Sequence, residues 1–269
     1  MKISVITPNY NGARFLETAV RSVLAQREAG VEVEYIVVDG GSTDGSAAIL
    51  ARYRDGIARL IVEKDTGPAN AVNKGLDAAT GDLVAWLNAD DLYHPHALAR
   101  LADSMQRHPD RAIAFGHCPI VDEDGREIRK PITRFKECFF PFSCRFTIQC
   151  INYVSQPATC FRMAAVRRAG PLREDLKAAW DYEFILRLWR HGGGVRVRRP
   201  PIASFRWHAQ SISGANFSRQ FREEFDVART DAGRFAPQTL LHAGVRWGIV
   251  GIYTLMAGRR AERNRGDRP

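Results

Sequence analysis

The sequence predicts an α/β protein with a Rossmann-like, mainly parallel sheet flanked by helices, followed by C-terminal helices. Three observations predict this class. Short apolar, β-branched runs alternate with stretches of helical spacing, and turn-forming residues separate the two kinds of segment. At 269 residues and 45% hydrophobic, the chain can also bury a large core. Repeated strand–helix alternation is typical of βαβ crossovers and therefore of a doubly wound sheet.

The first two strand–helix units follow directly from the N-terminus. KISVITP (2–8) forms the first predicted strand, and apolar residues at helical spacing predict a helix over 15–24. YIVVD (35–39) is the kind of apolar run expected for a parallel strand buried on both faces. The turn GGSTDGS then offers Ser42 or Asp44 as the cap of a second helix.

The alternation continues as far as residue 117. RLIVE (59–63) and DLVAWL (82–87) are predicted strands, and PANAVNKGLDAA (68–79) between them is a predicted helix that begins with proline. A helix over 95–107, with Pro95 as its first residue, and a strand over 111–117 complete the pattern. We therefore expect the first half of the domain to span residues 1–117.

Beyond residue 117 the pattern changes. A hairpin is predicted around the Asp-Gly pair of VDEDGREI, residues 129–160 have no clear assignment, and helices are predicted over 181–189 and 216–230. We expect three further parts. They are a second half of the same domain (118–210), a C-terminal helical segment (211–258) and a disordered basic tail (259–269).

The charge of the chain indicates which partners to expect. The net charge of +9 and pI near 9.6 favour anionic partners such as nucleotides, phosphates or an acidic lipid surface. No module with interleaved basic and aromatic residues occurs, so nucleic acid is not expected. The five cysteines form no CxxC and the N-terminus has no secretory pattern, which predicts reduced thiols and a cytoplasmic location.

Mostly polar residues lie at the carboxyl end of each of the first four predicted strands. They are Thr7, Pro8 and Tyr10 at the end of the first strand, Asp39 at the end of the second, Lys64 and Asp65 after the third, and Asn88, Asp90 and Asp91 after the fourth. Turn or cap chemistry explains any one of these residues alone. Because ligands of open α/β sheets bind beyond the carboxyl ends of the strands, the set predicts a binding site.

The chemistry of these residues suits a nucleoside diphosphate. Asp39 can accept the imide N–H of a pyrimidine base, which makes UDP the default nucleotide. The adjacent pair Asp90 and Asp91 can divide between a ribose hydroxyl and a hard cation such as Mg²⁺ or Mn²⁺, which also binds phosphate oxygen. The GxxxxGK[ST] phosphate loop is absent from the sequence.

Five motifs in order resemble those of bacterial family-2 inverting glycosyltransferases. They are TPNYNG, VVDGGSTDGS, EKDTG…NKG, GDLVAWLNADD and DYEFILRL, and the resemblance covers roughly residues 2–210. It implies the A-type glycosyltransferase fold and metal-dependent transfer of a sugar from a nucleotide-diphospho-sugar to a hydroxyl acceptor. The process it implies is synthesis of cell-surface polysaccharide or glycolipid.

The resemblance also implies roles for individual residues. The implied donor-binding residues are Thr7, Pro8, Tyr10, Asp39, Asp65, Asn88 and Asp90, with Asp39 at the base and Asp90 at the ribose. Asp91 and His208 are the implied metal-side residues, with Mn²⁺ or Mg²⁺ as the cofactor. Two positions depart from the family pattern, since Asn88 and Asn70 stand where many relatives have an acid. Asn88 is therefore expected to form hydrogen bonds without ligating the metal.

Asp181 in DYEFILRL matches the position of the family's catalytic acid and is the implied general base. Relatives commonly have a second acid just before it, where this chain has Trp180. Glu183 is a competing candidate, but two residues along a helix point about 200° apart, so both cannot face one pocket. The alternative for Asp181 is a cap at a helix N-terminus, which the helix dipole favours.

The apolar segment 239–258 has two interpretations. Its uncharged run, 247–258, is too short to span a bilayer and has arginines on both sides. Residues 239–260 could therefore contact the inner face of the cell membrane peripherally and bring the enzyme to a saccharide or lipid-linked acceptor. Alternatively, the segment packs on the protein or in a homodimer.

Two other functions are compatible with a nucleotide-binding sheet. A sugar-phosphate nucleotidyltransferase normally has a glycine- and basic-rich loop after its first strand, which TPNYNGARF does not provide. A non-catalytic sugar-nucleotide-binding or membrane-scaffold protein would bind the donor without turning it over.

Overall fold

The computed structural model describes residues 1–209, 211 and 217–248, without the side chains of residues 217 and 218. Its strands are β1 (Lys2–Asn9), β2 (Glu32–Asp39), β3 (Arg59–Val62), β4 (Leu83–Trp86), β5 (Leu92–Tyr93), β6 (Ile113–Phe115), β7 (Ile120–Val121), β8 (Glu127–Ile128), β9 (Thr159–Arg162), β10 (Gly194–Arg196) and β11 (Ala203–Arg206). Its α-helices are α1 (Ala13–Leu24), α2 (Ser46–Arg52), α3 (Pro68–Ala78), α4 (Ala97–Arg107), α5 (Lys130–Glu137), α6 (Arg145–Cys150), α7 (Met163–Ala169), α8 (Trp180–Trp189) and α9 (Phe217–Ala232), and residues 237–248 are also helical.

A seven-stranded sheet in the order β10-β6-β9-β4-β1-β2-β3 forms the centre of the molecule. Every neighbouring pair is parallel except those of β9, which runs antiparallel to both β4 and β6. The mainly parallel α/β fold is therefore confirmed. The four predicted strands of the first half lie side by side as β4-β1-β2-β3, so their carboxyl ends meet at one edge.

A smaller sheet in the order β5-β11-β7-β8 covers part of that edge. The hairpin predicted around Asp124-Gly125 is confirmed, since it joins β7 to β8 with Gly125 at φ +83°. Strand β11 pairs with β5, directly after the Asp pair, and with β7. This pairing brings residues 203–208 next to the loop that follows β4.

The core lies on both faces of the large sheet, as the apolar strands predict. On β2, Ile36 and Val38 pack in one cluster with Val72 of α3, whereas Tyr35 and Val37 pack in the other with residues of α1. Helix α1 buries a stripe at positions i, i+3, i+4 and i+7, formed by Leu16, Ala19, Val20 and Val23.

The prediction that a helix begins at Pro95 is wrong. Helix α4 begins at Ala97, and His96 before it has a left-handed backbone with φ of 59°. His94 lies before the helix, and its Nε2 lies 2.9 Å from Ser204 Oγ of β11. The pairing of β5 with β11 extends the chain at this point and delays the helix.

The C-terminal segment is described in part. Residues 237–248 are helical, with His242 Nδ1 at 2.9 Å from the Gln149 carbonyl oxygen, while Leu240, Leu241 and Trp247 are exposed. Residues 249–260, including most of the predicted membrane-contact run, and the predicted disordered tail lie outside the described residues. None of the described helices is long and apolar enough to cross a bilayer.

Replacement of Gly75 by Ala tests the packing of α3 on the sheet. A Cβ at this position would lie 2.5 Å from Ile6 Cγ2, inside the buried core. Alanine favours a helix by about 0.5–1 kcal/mol over glycine, but overpacking costs about 1–3 kcal/mol. We expect Gly75→Ala to lower the free energy of unfolding in urea. Asp77→Ala, at an exposed site of the same helix, should change it by less than about 0.5 kcal/mol. A stabilised Gly75→Ala variant would contradict this packing.

Candidate active site

A cavity of about 600 Å³ opens at the carboxyl edge of the large sheet. Seven of the ten residues predicted for the site line it, namely Pro8, Tyr10, Asp65, Asn88, Asp90, Asp181 and His208. The other three, Thr7, Asp39 and Asp91, are buried behind its wall. The fold thus brings groups from strand ends and from helix α8 into one space, although they lie up to 200 residues apart in sequence.

Tyr10 and Asp65 form one end of the cavity. The Tyr10 ring is 66% exposed, and Asp65 accepts a hydrogen bond from the Gly67 amide at 2.9 Å. A Cβ at Gly40 would overlap Asp65 Oδ2 and would lie 3.3 Å from Tyr10 Cδ2, so only glycine lets the two side chains approach each other here. An exposed ring beside a carboxylate suits a nucleoside, whose base can stack and whose polar groups can donate hydrogen bonds.

Asp39 holds the turn after β2. Its Oδ1 accepts hydrogen bonds from the amides of Gly41 (3.0 Å) and Ser42 (2.7 Å), and its Oδ2 accepts from Asn9 Nδ2 (2.6 Å) and Ser42 Oγ (2.8 Å). Contact with a base would require one of these four bonds to break. Thr7 is likewise occupied, since its hydroxyl accepts from Tyr35 Oη at 3.1 Å. Both residues thus have hydrogen-bond partners within the protein, and their contacts with the donor stay predictions.

The two residues of the Asp pair point in different directions. Asp90 faces the cavity, where its Oδ2 lies 3.0 Å from His208 Nε2. The side chain of Asp91 is 1% exposed, and its oxygens accept from the Arg206 amide (2.9 Å) and Asn88 Nδ2 (3.2 Å). Burial and the charge of Asp90 raise the pKa of Asp91 well above its usual value. Asp90 thus lines the cavity, whereas Asp91, the predicted metal-side residue, is buried beside it.

Arg206 fixes this arrangement. Its guanidinium donates to the carbonyl oxygens of Asp90 (2.9 Å), Asp122 (3.0 Å) and Glu123 (2.7 Å), and it lies over the Phe15 ring at 4.6 Å. Because the Asp90 carbonyl and the Asp91 carboxylate are both bound by Arg206, the Asp90 side chain is left to face the cavity.

Asp90 and His208 fit the donor set of a divalent cation. A carboxylate oxygen and an imidazole nitrogen suit Mn²⁺, and His208 Nδ1 is buried without a hydrogen-bond partner among the described residues. Among those residues, no three His, Cys, Asp or Glu side chains come together as a complete metal site. Two protein ligands leave positions for phosphate oxygens, as at sites where a cation binds together with a nucleotide.

Asp181 lies in the first turn of α8 and faces the same cavity. Burial, and secondarily the charge of Glu224, raise its pKa to about 6, while the Tyr182 amide and the charge of Lys136 oppose the rise. Glu183 is held by Arg187 Nε at 2.9 Å and does not line the cavity. Only Asp181 of the two candidate bases is therefore positioned to reach a ligand there.

Comparisons with known proteins identify the family of this chain. The model of the family described as glycosyl transferase family 2 matches residues 4–170. A relative called an uncharacterized glycosyltransferase, from Nostoc sp., is 38% identical over 261 residues, covering 87% of this chain and 80% of its own. A second, from Mycobacterium tuberculosis, is 34% identical over 188 residues and covers 69% and 68%. The chain belongs to glycosyl transferase family 2.

Solved structures similar to this family 2 glycosyltransferase support the fold. Residues 1–349 of Staphylococcus aureus TarS in complex with UDP-GlcNAc align with a TM-score of 0.67 at 21% identity, covering 86% of this chain and 66% of that one. The mannosyltransferase PcManGT from Pyrobaculum calidifontis, in complex with GDP-Man and Mn²⁺, aligns with a TM-score of 0.66 at 22% identity, covering 90% and 68%.

The sequence did not indicate that α9 helps to build the site of this glycosyltransferase. Glu223 accepts hydrogen bonds through Oε2 from the amides of residues 177–179, at 2.8–3.1 Å, immediately before α8. Its neighbour Glu224 is buried and accepts from Asn152 Nδ2 at 3.1 Å. Both glutamates are more than 40 residues from Asp181 and carry no local motif, so only the three-dimensional packing reveals their roles.

Glu223 tests whether the start of α8 must be anchored. Glu223→Ala removes the acceptor of three amides, and loss of such a cap costs about 1–2 kcal/mol. We expect a lower free energy of unfolding in urea and slower turnover, with nucleotide affinity unchanged. Arg222→Ala, at the exposed neighbouring position, is the control and should leave the free energy of unfolding and the turnover unchanged. Equal stability and turnover in both variants would show that the anchor is dispensable.

Proposed function

We propose that this protein is a metal-dependent inverting glycosyltransferase that moves a sugar from a nucleotide-diphospho-sugar, with UDP as the first candidate nucleotide, to a hydroxyl acceptor. The observation that carries the proposal is that the Asp90–His208 pair and Asp181 open into the same cavity. The Asp90–His208 pair can hold the charged part of the donor, and the Asp181 carboxylate can act on the acceptor.

The donor is proposed to lie along the strand ends. Tyr10 and Asp65 would contact the base and ribose, and Asn88 would border the same path. Asp90 and His208 would hold a Mn²⁺ or Mg²⁺ ion, which when bound would neutralise charge on the departing diphosphate. The complexes of PcManGT with GDP-Man and Mn²⁺, and of TarS with UDP-GlcNAc, support this class of donor.

Asp181 is proposed to be the general base. Its carboxylate would accept the proton of the acceptor hydroxyl while the acceptor oxygen attacks the anomeric carbon from the side opposite the leaving diphosphate. That single displacement inverts the anomeric centre. A pKa of about 6 lets the carboxylate be ionised near neutral pH and still accept a proton better than an ordinary aspartate does.

The pathway proposed is synthesis of cell-surface polysaccharide or glycolipid at the inner face of the membrane. A succinoglycan biosynthesis protein of Rhizobium meliloti, 35% identical over 128 residues, supports the polysaccharide assignment; this match covers 47% of this chain and 36% of that protein. The net charge of +9 favours contact with acidic lipid. Residues 1–117 would then bind the donor and residues 118–210 the acceptor.

Asp181→Asn tests the base directly. The variant keeps the size and the hydrogen-bonding capacity of the side chain but cannot take up the proton, so turnover should fall by about 10²–10⁴-fold while donor affinity is kept. Turnover is measured by nucleotide release and donor affinity by calorimetry. Glu183→Gln, at the carboxylate that faces Arg187, is the control and should transfer at nearly the wild-type rate. Near-wild-type turnover of Asp181→Asn would move the role to another residue.

The pH dependence of kcat/KM provides a second test. The rate should fall as the pH drops below about 6, because Asp181 becomes protonated and can no longer act as a base. Glu224→Gln keeps an oxygen for Asn152 but removes the negative charge that raises the pKa of Asp181. The acidic limb should therefore move to lower pH in this variant. A limb that does not move would show that another group controls it.

The proposed metal assignment is tested by comparing Asp90 with Asp91. Asp90→Asn should weaken Mn²⁺-dependent UDP binding by about 100-fold or more, since loss of even an outer-shell partner of a ligand costs about 10–100-fold. Asp91→Asn should keep that binding but lower the free energy of unfolding, because Asp91 is buried and bonded to Arg206. Calorimetric titration with and without Mn²⁺ measures binding. The reverse pattern would return the metal to Asp91.

A further inference from the structure

A lysine and an arginine line the cavity among the described residues, and they differ in their partners. Arg14 donates to Glu123 at 2.5 Å, so its charge is neutralised within the protein. Lys136 on α5 has no carboxylate within salt-bridge distance in the described part of the chain. The carboxylate of the next residue, Glu137, pairs instead with Arg199 and His117.

Lys136 lines the same cavity as Asp181, the proposed base. It also lines a small neighbouring pocket with Ser155, and its charge acts on Asp181. Asn152 lines the cavity as well and donates to Glu224, whose charge also acts on Asp181. The proposed donor residues Tyr10, Asp65 and Asp90 come instead from the strand ends. Lys136 therefore shares the cavity with the proposed base, and it comes from α5, not from the strand ends that carry the proposed donor residues.

The position of this lysine has an electrostatic consequence. Lys136 is half-buried, and its ammonium has no acidic partner among the described residues. Asp181 does not pair with it and must stay free to accept a proton. The proposed donor already has Asp90 and His208 with their cation for its diphosphate. An anionic group on the acceptor would supply the negatively charged partner that the Lys136 ammonium lacks.

We infer that Lys136, with the polar side chains of Asn152 and Ser155, forms an anion subsite for the acceptor, so that the acceptor carries a phosphate or carboxylate group near its attacking hydroxyl. This inference rests on the proposed function and names the chemical class of the acceptor. A neutral saccharide would leave the Lys136 ammonium unpaired in the complex. An anionic acceptor would pair with it and be oriented towards Asp181.

Titration with small anions tests the subsite without knowledge of the acceptor. Glycerol phosphate and glucuronate, with glycerol and glucose as their neutral counterparts, are titrated calorimetrically into the full chain, both free and saturated with UDP and Mn²⁺. We expect an anion to bind more tightly than its neutral counterpart, and Lys136→Met to weaken that binding by about tenfold or more. Preference for glycerol phosphate or for glucuronate identifies the anionic group as phosphate or carboxylate.

Three controls make the result decisive. Arg134→Met removes an exposed cation from the same helix and should leave anion affinity unchanged, and Lys136→Arg should restore it. UDP affinity should be equal in Lys136→Met and the wild type. Equal anion affinity in the wild type and Lys136→Met, or loss of UDP affinity in Lys136→Met, would overturn the inference. Failure of the wild type to bind UDP would contradict the proposed function, and the titrations of the nucleotide-free protein would still decide the role of Lys136.

Discussion

The contacts of the buried Trp86 indole connect the two halves of the site. Trp86 ends β4, two residues before Asn88, and its ring lies 4.9 Å from Phe161 and 5.9 Å from both Trp180 and Phe184. Trp180 directly precedes Asp181. The Trp86 side chain, on the strand that leads to Asp90, therefore packs against the helix that carries Asp181. Any shift of α8 must disturb this aromatic cluster. The cluster therefore fixes the position of Asp181 relative to Asp90.

A second constraint comes from the small sheet. Strand β11 pairs with β5 and places Arg206 where its main chain binds the Asp91 carboxylate and its side chain binds the Asp90 carbonyl. The same strand leads to His208, which meets Asp90 in the cavity. Asp91 is therefore bonded within the protein, while Asp90 lines the cavity. These contacts explain why the two carboxylates of the loop point in different directions.

Much of the fold followed from local pattern. Strands β1 to β4 and helices α1 and α3 have apolar periodicity strong enough to predict, and so the edge bearing Tyr10, Asp65 and Asp90 could be located. Strands β9 and β10 were not predicted, because β9 adjoins the stretch 129–160 that has no clear assignment and both strands form through pairing with distant strands. Helix geometry indicated only that Asp181 and Glu183 cannot both face the cavity, and the resemblance to the family favoured Asp181. The inward turn of Asp91 and the contacts of Glu223 and Glu224 depend on partners 44 to more than 100 residues away, which no local motif records.

We propose that the protein turns over a nucleotide-diphospho-sugar in this cavity with the help of a divalent cation. The most direct measurement is nucleotide release by the wild-type chain across UDP-, GDP- and dTDP-sugars, each with Mn²⁺, with Mg²⁺ and with a chelator. We expect release of the nucleotide from one class of sugar nucleotide. The release should be faster with Mn²⁺ or Mg²⁺ and abolished by the chelator. Binding of a sugar nucleotide without release under any of these conditions, or release at the same rate with the chelator, would contradict it.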